Sequence, residues 1–201
     1  MSNRGIGDIR RHVDDYFVTL SALVTGAEVT RQNGQALTMG DGFTEVAAAA
    51  HKAHDSGNKI IFIGNGGSAG IASHLAIDFS KNGRMRAQAF NDASALTCLA
   101  NDFGYEHVFA KQIEFHGRGG DLVIAISSSG KSANILNGVA EARRLNCPVV
   151  TFSGFTESNP LRTAGDVNFF VRSNQYGFVE VAHLTLCHAV LDLDLGWHKQ
   201  A

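Results

Sequence analysis

A three-layer α/β sandwich around a central parallel sheet, with a helical N-terminal extension, is predicted by three features of this chain of 201 residues. Short apolar runs rich in β-branched residues alternate with longer stretches of helical periodicity. The linking loops are short, as in sheets covered by helices on both faces. Two of the runs, at 60–63 and 122–127, feed straight into turns made of glycine and serine. With 44% hydrophobic and 18% charged residues, the composition is that of one globular unit with a sizeable core. Residues 1–201 are read as a single domain, with 1–57 a helical part and 58–201 the parallel core.

The elements follow in order. Residues 6–24 read as a helix, because Ile9, Val13, Tyr16, Phe17, Leu20 and Leu23 recur at three- and four-residue spacing. A weaker helical pattern covers 28–37, interrupted by Gly34. Asp41 is expected to cap a helix over 42–56, whose apolar face is Phe43, Val46, Ala47 and Ala50 and which ends at Gly57. So much helix ahead of the first strand is expected to bury a subunit interface. The run 60–63 is a buried strand, 64–68 a glycine turn and 69–79 a helix. The basic stretch KNGRMR at 81–86 is either a solvated loop or a phosphate or sugar contact. A short strand at 87–90, a helix at 94–100 broken by 101–105, and a helix at 106–115 come next. The clearest buried strand is 122–127, followed by a helix over 132–146 with Ile135, Leu136, Val139, Ala142 and Leu145 on one side. Strands at 148–153 and 166–171 flank a short helical link at 161–165, and a long helix over 178–197 closes the chain.

Composition also excludes function classes. A formal net charge of −2 argues against a generic nucleic-acid binder. Cys98, Cys147 and Cys187 lack C-x-x-C spacing and have apolar neighbours, which reads as buried free thiols in a reducing compartment. No apolar run approaches the roughly 20 residues of a membrane span, and the N-terminal charges are followed by no signal-peptide core. A cytoplasmic protein without membrane or nucleic-acid partners is expected.

The turn Gly64-Asn65-Gly66-Gly67-Ser68 leaves a strand and opens a helix. Glycines there let backbone N–H groups approach a ligand, and the positive helix end favours an anion, usually phosphate. The turn matches neither the Walker pattern nor G-x-G-x-x-G, and taken alone it also fits a plain strand-to-helix turn. The second turn, Ser127-Ser128-Ser129-Gly130-Lys131-Ser132, repeats the arrangement with hydroxyls, which donate to phosphate oxygens without adding charge. Both turns fall beyond the carboxyl ends of strands, where ligands of such sheets bind.

His74 and Asp78 share one helix face. Glu180, His183 and His188 stand on the last helix. Carboxylate and imidazole together can move protons at neutral pH, and His74, Asp78, Glu180 and His188 can equally hold a divalent cation such as zinc. Each has an ordinary reading as well. A histidine on an apolar helix is usually a core or interface group, Asp78 can pair with Lys81, and Glu180 suits the first turn of a helix.

Four segments, FIGNGGSAGIASH, NDFGY at 101–105, AISSSGKSAN at 125–134 and VEVAHLTLCH at 179–188, together resemble sugar isomerase (SIS) domains. The nearest branch is the one that isomerises sedoheptulose 7-phosphate, and the resemblance covers nearly the whole chain. It implies a homotetramer with active sites between subunits. It implies an aldose–ketose isomerisation, sedoheptulose 7-phosphate to D-glycero-D-manno-heptose 7-phosphate, through an enediol. By position, Gly66, Gly67, Ser68, Ser127, Ser128, Ser129 and Ser132 hold the phosphate, while Asn65, Asn101 and Asp102 meet the sugar. The family's base falls on Asp78 and its histidine acid/base on His188, with Glu180 as a further candidate carboxylate. In zinc-containing members the ligands fall on His74, Asp78, Glu180 and His188. The chain departs from the family pattern at the sugar end. Asp78 replaces a glutamate, Glu180 a usual glutamine and Ile71 a usual aspartate. The arginine that the family pattern places near position 82 is missing, and Lys81 or Arg84 would substitute. The rival reading is a non-catalytic SIS protein that binds a phosphosugar or associates with a replication initiator. Such relatives tend to lose the late histidine, which this chain keeps as His188.

Overall fold

The computed structural model describes residues 6–197. Its seven strands are β1 (Glu28–Arg31), β2 (Ala36–Leu37), β3 (Ile60–Gly64), β4 (Ala87–Ala89), β5 (Leu122–Ser127), β6 (Val149–Gly154) and β7 (Val167–Val171). The α-helices are α1 (Ile6–Thr25), α2 (Met39–Asp55), α3 (Gly67–Lys81), α4 (Ala93–Phe103), α5 (Val108–His116), α6 (Ala133–Arg144) and α7 (Tyr176–Asp194). They surround one sheet of order β2-β1-β7-β6-β5-β3-β4. Strands β7, β6, β5, β3 and β4 run parallel, and β1 joins β7 antiparallel, with β2 outside it at the edge of the sheet. Among the described residues no helix is long and apolar enough to cross a membrane.

The strands are apolar on both faces because both faces are covered. Along β3, Ile60 and Phe62 enter one core with α2, α3 and α7, while Ile61 and Ile63 enter the other with α5 and α6. All four are 0% exposed. Burying such side chains contributes about 1.5–3 kcal/mol each, so β3 is held mainly by its two cores. At its amino end the buried Asp121 carboxylate accepts from the N–H groups of Lys59 (2.8 Å) and Arg118 (3.0 Å) and pairs with Lys59 Nζ at 3.0 Å. That knot pins β3 to β5 at the end opposite the glycine and serine turns.

The first 57 residues are not all helix. Residues 28–37, read above as a weak helix, form the β1–β2 hairpin around Asn33-Gly34. Asn-Gly is the dipeptide favoured in tight hairpin turns. Its Arg31 N–H donates to Gln35 O at 2.9 Å. Helix α2 begins earlier than expected, because Thr38 is its cap: Thr38 Oγ1 accepts from Asp41 N–H at 3.1 Å and donates to the Asp41 carboxylate at 2.6 Å. Asp41 therefore lies inside the first turn, where its charge suits the helix dipole. Helix α4 continues through Asn101 and Asp102 and stops at Gly104, past the break read at 101. Cys147 and Cys187 are buried, but Cys98 is exposed, so the reading of three buried thiols fails there. Burial pushes the Cys147 thiol up to about 11, so it is inert at neutral pH.

Candidate active site

Strands β3 and β5 are hydrogen-bonded neighbours, with Gly64 opposite Ile126. From β3 the chain passes through α3 to β4 on one side of the sheet. From β5 it passes through α6 to β6 on the other side. The strand order therefore diverges between β3 and β5, at a topological switch point of the kind where open α/β sheets bind ligands. Helix α3 packs in one core and α6 in the other, so their N-termini flank the gap from opposite faces. A cleft of about 200 Å³ lies there, lined by Asn65, Gly66, Gly67 and Ser68 of the first turn and Ser127, Ser128, Ser129 and Ser132 of the second.

No side chain caps either helix at this end. The N–H groups of Gly67 and Ser68, and of Ala133 and Asn134, thus keep their hydrogen-bonding capacity for a ligand, while those of Ala69 and Ile135 donate to backbone carbonyls. Gly66, the residue ahead of α3, has φ 54° and ψ −122°, a conformation essentially reserved for glycine. Ser128 Oγ is buried with no partner among the described residues. A buried hydroxyl without a bond costs about 1–3 kcal/mol, which an incoming phosphoryl oxygen would recover. The two turns are stapled together. Asn65 Nδ2 donates to Asn134 Oδ1 at 2.8 Å and Asn134 Nδ2 donates back to Asn65 Oδ1 at 2.9 Å. Tyr105 OH donates to the same Asn65 oxygen at 3.0 Å.

A second group of side chains lies further along α3 and α7. His74 Nε2 is 3.2 Å from Asp78 Oδ2, and His188 Nδ1 is 3.6 Å from that same oxygen. The two imidazole rings are 5.1 Å apart. Asp78 does not pair with Lys81; its other neighbour is Asn82 Nδ2 at 3.4 Å. At 1.5 Å rise per residue the backbone of His74 is roughly 10 Å, and that of Asp78 roughly 16 Å, along α3 from Gly67 at the cleft.

The remaining candidates fall elsewhere. Glu180 is outside the His74–Asp78–His188 group. It lines the cleft instead, its carboxylate lying over Gly67 so closely that a Cβ there would be 2.4 Å from Oε2. Asn101 and Asp102 are exposed at the end of α4, where Asn101 Nδ2 donates to Asp102 Oδ1 at 2.9 Å, and they do not line the cleft. The neighbouring Tyr105 does not line it either, but touches its wall through the bond to Asn65. Tyr105 and Asn134 stood inside motifs quoted above, but pattern alone did not separate them from their neighbours. Tyr176, at the start of α7, also lines the cleft and had no sequence signal.

His183 is fully buried, and its Nε2–H donates to Ser153 O at 3.0 Å. Burial lowers its pKa from 6.5 to about 4. The unfolded chain therefore binds a proton near pH 6.5 that the folded chain refuses until about pH 4. This stability is present above pH 6.5 and is lost as pH falls through that window. The full effect is about 3 kcal/mol. Between pH 7 and 4.5 the melting temperature of the wild type is expected to fall more steeply than that of His183→Gln. Parallel curves would remove this account of His183.

Three comparisons bear on the site. The SIS domain model matches residues 27–154. A phosphoheptose isomerase of Bradyrhizobium sp. is 36% identical over 155 residues, 73% of this chain and 77% of the relative. One from Paramagnetospirillum magneticum is 38% identical over 143 residues, 68% of this chain and 74% of the relative. The solved phosphoheptose isomerase of Neisseria gonorrhoeae superposes with a TM-score of 0.79 at 27% identity, covering 92% of this chain and 99% of that one.

Proposed function

We propose, for a chain that belongs to the SIS-domain family and stands among its phosphoheptose isomerases, that it is a phosphosugar isomerase converting sedoheptulose 7-phosphate to D-glycero-D-manno-heptose 7-phosphate. One observation carries the reading. Two of the three helices that border the cleft, α3 and α7, also carry the His74–Asp78–His188 group. A ligand gripped by its phosphoryl end between the turns would extend along those helices toward a carboxylate and two imidazoles.

The chain's own residues account for the proton transfers. Helix N–H groups and serine hydroxyls fix the phosphoryl group, and the reacting carbons are thereby held in place. Asp78 takes a proton from C1 of the open-chain ketose and returns it to C2. His188 moves the proton of the C1 hydroxyl to the C2 oxygen. The intermediate is the enediol, and no external oxidant or reductant enters. Glu180, in the cleft, borders the phosphoryl end.

The donor set also suits zinc. Ligand atoms of His74, Asp78 and His188 lie within 4.8 Å of one another. Bonds near 2.1 Å in tetrahedral geometry place ligands roughly 3.4 Å apart, with a fourth position open in catalytic sites. Glu180, the fourth ligand implied by the resemblance, does not join the group. A bound zinc would supply Lewis-acid polarisation of the carbonyl. The homotetramer is part of the proposal, supported by the exposed apolar side chains of α1, among them Ile9 (66%), Phe17 (62%) and Val18 (69%). So is a cytoplasmic setting, supported by three free cysteines.

A single preparation tests the reading. The purified protein is sized by light scattering, assayed for metal by elemental analysis and mixed with sedoheptulose 7-phosphate under NMR. An aldose phosphate is expected to accumulate, with zinc in the protein and a tetramer mass. Ligand binding without conversion would overturn the isomerase assignment in favour of a phosphosugar sensor.

A further inference from the structure

We propose that Tyr176 contacts the phosphoryl group at the mouth of the cleft and that Phe155 is the residue that positions it. The proposal rests on the reading above only so far as the cleft takes a phosphoryl group.

The cleft is unusual for an anion site in having no cation. Its lining holds no lysine, arginine or histidine, and the one charged side chain in it, Glu180, is acidic. The grip must come from neutral donors: backbone N–H groups, the serine hydroxyls, and the one phenol present, that of Tyr176. Tyr176 opens α7 and is 62% exposed, yet it lines the cleft. Its hydroxyl has no protein partner among the described residues, so it is available to a ligand. Four residues on, one turn along the same face, Glu180 lies over Gly67.

An exposed tyrosine would ordinarily sample several rotamers. This one is braced. Its ring stands edge-on to Phe155, centroids 4.8 Å apart at 77°. Phe155 follows Gly154, the last residue of β6, and has φ +61°. Bulky aromatic residues rarely adopt that conformation, and strain of this kind gathers at ligand sites. The conformation is secured by the Phe155 N–H donating to Ser173 O at 2.9 Å. Ser173 Oγ in turn accepts from Gln175 N–H at 3.2 Å, directly before Tyr176. The loop leaving β6 and the approach to α7 are therefore tied twice, by backbone and by ring, and the tie ends at the cleft.

The test uses the full chain, inorganic phosphate binding by calorimetry, and steady-state turnover of sedoheptulose 7-phosphate. Tyr176→Ala and Phe155→Asn are each expected to weaken phosphate about tenfold and raise KM by a similar factor, with kcat within about twofold, the size of one lost hydrogen bond. Tyr176→Phe, which keeps the ring, should lose most of the same affinity. Phe155→Tyr should restore wild-type binding, and the double variant should be no weaker than Tyr176→Ala alone, because Phe155 acts through Tyr176. Asparagine tolerates the left-handed backbone, and Tyr176→Ala removes an exposed ring, so at least that variant folds.

Unchanged phosphate affinity in Tyr176→Ala, or a loss in kcat with KM unmoved, overturns the proposal even if the wild type isomerises the sugar. Weakened phosphate binding in a protein that does not turn over the sugar upholds it while the isomerase reading falls. A wild type that binds neither phosphate nor phosphosugar ends both.

Discussion

His188→Ala is expected to lower kcat by at least about a hundredfold, the usual contribution of one acid–base group. Inorganic phosphate should bind as it does to the wild type. The imidazole stands eight residues beyond Glu180 on α7, roughly 12 Å along the axis from the cleft, and its side chain is 32% exposed. Losing it removes no buried packing of consequence, so the melting temperature should move little. Asp78→Asn keeps the shape of the carboxylate and removes its basicity, and a comparable loss is expected. If Asp78 and His188 work as a unit, the double variant loses no more than the worse single one. Turnover followed by NMR and phosphate binding by calorimetry separate chemistry from grip. A His188→Ala protein with near-normal kcat would sink the assignment of the proton shuttle.

Gly64→Ala should damage the protein more broadly. A Cβ at Gly64 would lie 2.5 Å from the carbonyl oxygen of Ser68 and 2.6 Å from its carbonyl carbon. Those are backbone atoms at the start of α3, so no side chain can rotate away. The turn must shift, and with it the Asn65–Asn134 amide pair that staples the two loops. Overpacking of this kind costs about 1–3 kcal/mol. Misplacing the N–H groups by about 1 Å can cost a hundredfold in kcat/KM. Gly70 is the control. It lies on the same helix, is exposed, and has nothing within 4 Å of an added Cβ. Gly70→Ala should be neutral or stabilise by up to about 1 kcal/mol. Equal tolerance at both positions, read by thermal melts and kinetics, would show that the close approach at Gly64 does not matter.

How much of this was legible beforehand differs by element. Strands β3 and β5 were plain in the sequence because both of their faces are buried, which forces unbroken apolar runs. The two turns were equally plain, since Gly66 and the serines are chosen for backbone conformation and hydroxyl chemistry rather than packing. The hairpin at 28–37 was not. Strand β1 is four residues long and three of them are only partly buried. Its partner β7 lies well over a hundred residues downstream, with Glu28 opposite Phe170, so local periodicity carried almost no signal.

The amino-acid sequence by itself determined the α/β class, the pair of anion-suited turns and the short roster of ionisable side chains, because each is written in local pattern and residue type. Only the tertiary structure decided which of those side chains meet. Glu180 and His188 share a helix, yet one borders the cleft between the two turns and the other joins His74 and Asp78, while His183 between them is sealed in the core. Tyr105 reaches Asn65 across forty residues, and Phe155 braces Tyr176 from another strand end. These meetings depend on how α3, α7 and the strand ends are rotated and spaced against one another. That is fixed by the packing of the whole core, and no single stretch of chain encodes it.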